Sequence, residues 1–409
     1  MGTPNFTHQV LIGTMNTRYT SSAIATRILT DDDRQHLGFV NSRSANPTIA
    51  TLIKLAGMFV FVFVLTACTP NVPPPIRSTD PVWSPNGRLI AYQCYEDGPY
   101  IGEPSMGTAE YTHEAAEICV MDINANHKTR LTHNDTADVS PIWSPDGRQI
   151  AFVGSDGLYV INSDGTDSRR LVESRWIESA AWSPDGQRLA FSACQPKQTA
   201  KVFLVDNDGK NLVTLIDEPG LMSEYPVWSP DGLRLAYASS KKDCSTRYSN
   251  DTFRLKVFDI QNETSKDVLN RDLYGMGDVS WLVANRISLV FSDSATLPWE
   301  GDFYVVDPDT GQTAKHLFDG IRNYAWSHNH ASIAYFTELT VRLASPSSNH
   351  AQEIWEANGT IYSLSWSPDD RFLLVNSRYP VSGTLNPQTT EVIWLISRDG
   401  STATRLTNP

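Results

Sequence analysis

Five carboxylates stand three to five residues ahead of a tryptophan: Asp80, Asp138, Glu178, Glu224 and Asp278 precede Trp83, Trp143, Trp182, Trp228 and Trp281, while Asn323 precedes Trp326. Acidic groups that recur at one place in a repeat converge when the repeats surround an axis. A ring of this kind focuses negative potential and suits a cation or a basic peptide strand. Strand starts are also often polar and solvated, so a purely structural reading stands beside the binding one. Other reactive residue types are scattered. His328 and His330 have metal-like spacing but replace the Pro and Gly of a turn, and only His113, His127 and His133 lie near one another. The chain has no Gly-x-Ser-x-Gly elbow, no Cys/His spacing suited to zinc and no Gly-rich phosphate loop. No catalytic residue, metal or cofactor is expected.

The tryptophans themselves define the elements. Trp143-Ser144-Pro145-Asp146-Gly147, Trp182-Ser183-Pro184-Asp185-Gly186 and Trp228-Ser229-Pro230-Asp231-Gly232 are close copies of one sentence. Trp83 and Trp366 open variants with Asn86 and Asp370, and Trp281 and Trp326 open degraded ones. The spacings are 60, 39, 46, 53, 45 and 40 residues, a period that with strand-like content predicts one propeller blade per repeat. Pro141-Ile142-Trp143 reads as an innermost strand. Pro then presets φ and Gly accepts positive φ in the turn that follows. Gln149-Ile150-Ala151-Phe152 and Leu158-Tyr159-Val160-Ile161 are the second and third strands, ended by the Asp164-Gly165 hairpin signal, and Arg169-Arg170-Leu171-Val172 is a more polar outer strand. The expected fold is an all-β, seven-bladed propeller of four-stranded antiparallel blades over residues 79–409.

The Trp-Ser-Pro-Asp-Gly-x-x-Ile/Leu-Ala-Phe/Tyr repeat resembles that of the TolB-like propeller family. Related repeats occur in prolyl-oligopeptidase-like enzymes and oligogalacturonate lyases. The resemblance covers roughly residues 79 to 409. It departs from TolB, whose propeller is six-bladed behind a small α/β domain, in having seven repeats.

Upstream, Lys54 precedes eleven apolar residues, Leu55 to Leu65, followed by Thr66-Ala67-Cys68. That run is too short to span a bilayer, which needs about twenty residues. It fits a secretory signal core over residues 51–68, and Leu65-Thr66-Ala67-Cys68 resembles the bacterial lipobox, with Cys68 the lipidated residue. Residues 69–78 then read as a Pro-rich linker. Residues 1–50 lack a clear period and carry Asp31-Asp32-Asp33; they are expected to be disordered or to lie upstream of a true translation start near residue 50.

Removing residues 1–67, with five Lys/Arg and three Asp/Glu, leaves 28 basic and 43 acidic residues, a net charge of −15. Such acidity argues against nucleic acid or anionic membrane as a partner, leaving the membrane to a lipid anchor. Four cysteines remain after Cys68, and the repeat map suggests the pairs Cys94–Cys119 and Cys194–Cys244. The long irregular loops all fall on one face, where binding residues favour loops on a rigid scaffold. The longest, 93–117, has six acidic residues, no Lys or Arg, and Tyr95, Tyr100 and Tyr111; others are 241–248, 292–302 with Trp299, and 376–391 with Tyr379. The function expected is a monomeric, non-catalytic cell-envelope binding or scaffolding module for an envelope protein or basic peptide. The alternative is a metal-dependent propeller enzyme, similar to oligogalacturonate lyases, acting on acidic saccharides.

Overall fold

Each tryptophan repeat folds into one antiparallel sheet whose four principal strands are hydrogen-bonded in chain order, and the seven sheets are the blades of an all-β propeller. The computed structural model describes residues 81–94, 116–124, 127–194, 198–241, 252–269, 271–274, 279–291, 301–346, 350–381 and 388–407. Blades 1 to 7 span residues 82–130, 139–173, 177–216, 222–267, 279–321, 323–356 and 360–405. First strands of neighbouring blades touch, as Ile177–Trp182 does Met222–Trp228 and Asn323–Trp326 does Thr360–Trp366, so the tryptophan strand is the inner one. Fourth strands such as Thr264–Asp267 are exposed. Blade 4 has a short extra strand, Leu273–Tyr274, against its third strand Thr252–Asp259.

The turn after each tryptophan closes on its own side chains. Ser144 Oγ donates to Asp146 Oδ1 at 2.7 Å and accepts from the amide of Gln149 at 2.9 Å, while the same Asp146 oxygen accepts from the amide of Arg148 at 3.0 Å. Asn86 keeps this arrangement in blade 1 because its amide oxygen replaces the carboxylate oxygen, 2.8 Å from Ser84 Oγ. Gly147 has φ +69°, and a Cβ there would lie 3.3 Å from Pro85 of the preceding blade. Gly186 meets Pro145 and Gly232 meets Pro184 in the same way. The motif is therefore an interlock between blades as well as a turn.

The tryptophans also hold blades together. The indole N–H of Trp143, Trp182, Trp228 and Trp366 donates at 3.1 Å to a backbone oxygen of the preceding blade's inner strand, namely that of Val82, Ile142, Ala181 and Ala325. Trp326 reaches Ser288 Oγ instead, at 2.9 Å. Among the described residues, Trp83 Nε1 and Trp281 Nε1 make no such bond. We expect Trp182→Phe to destabilise the fold by about 2 kcal/mol, from the orphaned oxygen of Ile142 plus lost volume. Trp83→Phe should cost about 1 kcal/mol less. Urea unfolding midpoints of the two variants give the comparison.

Among the described residues the apolar clusters lie between blades rather than within them. The blade 2–3 cluster joins Ala151, Leu158 and Val160 to Trp182, Leu189 and Phe191. The last cluster joins Trp83, Ile90, Tyr92 and Met121 of blade 1 to Leu374 and Ile393 of blade 7. Among the described residues no strand is shared across this seam; packing joins the two blades there, aided by Ser365 Oγ, 3.3 Å from the Pro81 oxygen, and by Gly87 against Pro368.

One expectation about the loops changes. Residues 376–391, read as a long loop, are mostly ladder: Phe372–Val381 pairs with Gln388–Ser397 from Phe372↔Ser397 to Val381↔Gln388. The β-branched content of 389–393 favours continued pairing over a loop.

Candidate functional site

Two inner strands begin with a proline-linked irregularity that sets the direction of the acidic residues ahead of it. Ser140 precedes Pro141 with φ +56°, and Tyr225 precedes Pro226 with φ +55°. The ladder shifts register between Val139 and Ile142 in blade 2 and between Glu224 and Val227 in blade 4. Proline has no N–H to give a ladder, and a bulge of this kind re-aims neighbouring side chains. Asp138 and Glu224 are consequently buried, 3% and 5% exposed, whereas Glu178 is half-buried. Asp138 and Glu224 are therefore withdrawn from solvent.

At the junction of blades 1 and 2 Asp138 belongs to a polar cluster. Glu117, the first residue of the third strand of blade 1, is fully buried. Its carboxylate accepts from Arg130 Nη2 at 2.6 Å, the amide of Asn134 at 2.9 Å and the Thr132 hydroxyl. Thr132 Oγ1 in turn accepts from the amide of Ile118 at 2.9 Å, and Asn134 Nδ2 donates to Asp138 Oδ2 at 2.7 Å. Asp156, in the hairpin between the second and third strands of blade 2, accepts from the Tyr159 hydroxyl at 2.7 Å and from Arg170 Nη1 at 2.6 Å. These groups occupy the irregular face, since they come from the blade 1–2 connection, the end of the 93–117 insertion and a second-to-third hairpin. A disulfide between Cys94 and Cys119 closes the base of that insertion.

The environments separate the two carboxylates of blade 2. Burial raises Asp138 to about 6, with the nearby charges of Glu117 and Asp156 adding to it against the hydrogen bonds from Asn134 and Thr132. The Tyr159 hydroxyl, followed by Arg170, holds Asp156 below the usual carboxylate range. A carboxyl with a raised folded pKa keeps its proton in the native state while the unfolded chain has already lost it. Its contribution to stability therefore falls as pH rises from about 4 to 6, and the cost of the buried charge is complete above that window. Asp138→Asn should stabilise the protein by on the order of 2 kcal/mol at pH 7.5 and leave it little changed at pH 4. Denaturant titrations at the two pH values measure this difference.

Sequence reasoning singled out Asp138 but treated Glu117 only as one more acidic loop residue. Pro141 and Pro226 inside predicted inner strands were the available signal for the bulges. Glu178 and Glu224 lie on the inner strands of blades 3 and 4, Ile177–Trp182 and Met222–Trp228. Cys194 is disulfide-bonded as well, to a partner outside the described residues. Cys68, Cys244, Asp80, Asp278, Tyr95, Tyr100, Tyr111, Trp299 and segments 1–50, 51–68 and 69–78 also lie outside them. Among the described residues no group of three His, Cys, Asp or Glu side chains is placed to hold a metal ion, and no helix is long and apolar enough to cross a membrane.

These features define a β-propeller with regular turns on one face and a buried, disulfide-flanked polar cluster on the other. Residues 104–252 match the family model of the TolB beta propeller domain. An uncharacterized protein of Agrobacterium fabrum is 31% identical over 147 residues, covering 33% of this chain and 45% of that protein. The chain spans less than half the length of the curated relatives it matches. Among solved structures, the oligogalacturonate lyase of Vibrio parahaemolyticus superposes with a TM-score of 0.54 at 13% identity, covering 80% of this chain and 86% of that one. The propeller domain of the Trilobed protease from Pyrococcus furiosus, which has an open velcro topology, gives 0.56 at 13% identity, with 81% and 98% covered. At these identities the likeness is one of fold.

Proposed function

We propose that this chain is a non-catalytic binding or scaffolding propeller of the bacterial cell envelope, tethered by lipid on Cys68. It engages an envelope protein or basic peptide through its irregular face. The observation that carries this reading is the Cys94–Cys119 disulfide, which joins the two strands that bound an acidic, tyrosine-bearing stretch of sequence. A disulfide is what an exported protein in an oxidising compartment retains. The insertion contributes Glu96, Asp97, Glu103, Glu110 and Glu114 with no Lys or Arg, a composition that favours a cationic partner. Tyrosines there supply contact area at small entropic cost.

The test is affinity capture from envelope extracts with the whole chain and with residues 95–116 deleted. A basic protein retained by the first and lost with the second, while both variants unfold at similar denaturant concentrations, is the expected result. Equal capture by both would refute the loop face. Labelled palmitate incorporated into the protein but not into Cys68→Ser is expected for the anchor.

A further inference from the structure

The fourth strand of each blade is its outer edge, and exposed edges invite addition of another strand unless charge or proline guards them. Six of the seven outer strands carry charge: His127–Arg130, Arg169–Glu173, Thr264–Asp267, Thr313–Ile321, Ala351–Glu356 and Ala403–Arg405. Blade 3 is the exception. Its outer strand, Val213–Ile216, is Val-Thr-Leu-Ile, and Asn211 and Leu212 before it are uncharged too. Among the described residues it pairs with Lys201–Asp206 on one side only.

Three further features coincide there. Leu212 and Val213 are each 49% exposed, where large apolar side chains on a soluble surface are usually covered. Leu212 and Thr214 line a groove of about 250 Å³ between blades 2 and 3, together with the stacked rings of Phe191 and Phe203, whose centroids are 5.3 Å apart. Carboxylates flank it: Glu173 stands on the groove rim with its side chain 79% exposed, and Asp217, directly after the strand, is 47% exposed. Each has a basic neighbour, Arg170 at 3.2 Å and Lys201 at 2.6 Å, but exposed pairs of this type are weak and exchange readily.

We propose that the outer edge of blade 3 docks an extended segment of a partner protein, which adds to Val213–Ile216 as a fifth strand. The segment places an apolar side chain in the Phe191–Phe203 groove and flanks it with basic residues facing Glu173 and Asp217. Main-chain pairing supplies the register, and alternate side chains supply the selectivity. The basic flanks follow from those two carboxylates and from the net charge of −13. That same charge opposes pairing of this edge with a second copy of the chain. The site is distinct from the loop face, so it stands or falls independently of the proposed function.

The test uses the full chain and a fluorescein-labelled peptide, Lys-Val-Thr-Val-Lys-Val-Thr-Lys, with a control carrying proline at its central valine. Binding is read by anisotropy and located by hydrogen exchange. Slower exchange at residues 212–216 with the first peptide but not the control is expected, together with at least tenfold weaker binding by Leu212→Lys and Val213→Lys. Unchanged affinity in both variants, protection confined to other blades, or no protection at any peptide concentration overturns the proposal. So does sedimentation showing that the free wild-type chain dimerises and that Val213→Lys abolishes the dimer.

Discussion

Glu117→Ala is expected to lower stability by about 3–5 kcal/mol, because it breaks a buried charged network by removing one partner. The carboxylate is fully buried and serves three donors: Arg130 on the outer strand, and Thr132 and the Asn134 amide on the connection to blade 2. Alanine takes the carboxylate away from a partly buried guanidinium and orphans an amide, and each loss carries a desolvation cost. Glu117→Gln retains one acceptor oxygen and should cost roughly half as much. The Glu117 charge helps to raise the Asp138 pKa, so the alanine variant should also weaken the pH dependence between about 4 and 6. Chemical denaturation at pH 5 and pH 7.5 reads both effects. A loss below about 1 kcal/mol would show that the network adds little beyond solvated pairing.

A comparable loss is expected from Asp370→Gly, although glycine is the residue other copies of the motif place there. Asp370 has φ +58°, so glycine would relieve backbone strain of about 1 kcal/mol. Its carboxylate, however, accepts from the amides of His328 at 2.6 Å and Asn329 at 3.0 Å in the preceding blade. In blades 1, 2, 3 and 7 the residue at the position of His328 is proline, which has no N–H, and the following blade places glycine against its ring, as Gly147 does against Pro85. Here both members have changed together: the proline gave way to a donor, and the glycine to an acceptor. Removing the acceptor alone orphans two amides at about 1–3 kcal/mol each, giving a net loss of about 2–4 kcal/mol. In a His328→Pro background the same change should cost little, because the glycine–proline contact is restored. A double-mutant cycle measured by urea unfolding gives the coupling energy, and additive losses would sink the explanation.

Asp370 also illustrates where sequence reading stopped. Next to its neighbours it looks like a decayed motif, and His328 looks like a possible ligand. The simultaneous loss of proline in one repeat and glycine in the next was visible, but its meaning required knowing that those positions touch across a blade interface. Glu117 was obscured for a similar reason, since its partners lie 13 to 17 residues away in the chain. The tryptophans were legible as core, yet their indole bonds to the preceding blade were not, because those bonds reach 40 to 61 residues back.

The chain alone determined the repeat, the turn chemistry and the number of blades, all of which arise from short-range causes: preset φ at proline, positive φ at glycine, and alternation along strands of six residues or so. Tertiary structure decided which acidic residues are buried, which carboxylate binds a proton near neutrality, and which side chains lock one blade to the next. Those outcomes depend on desolvation and on partners brought together only when the ring closes, and no local pattern encodes either.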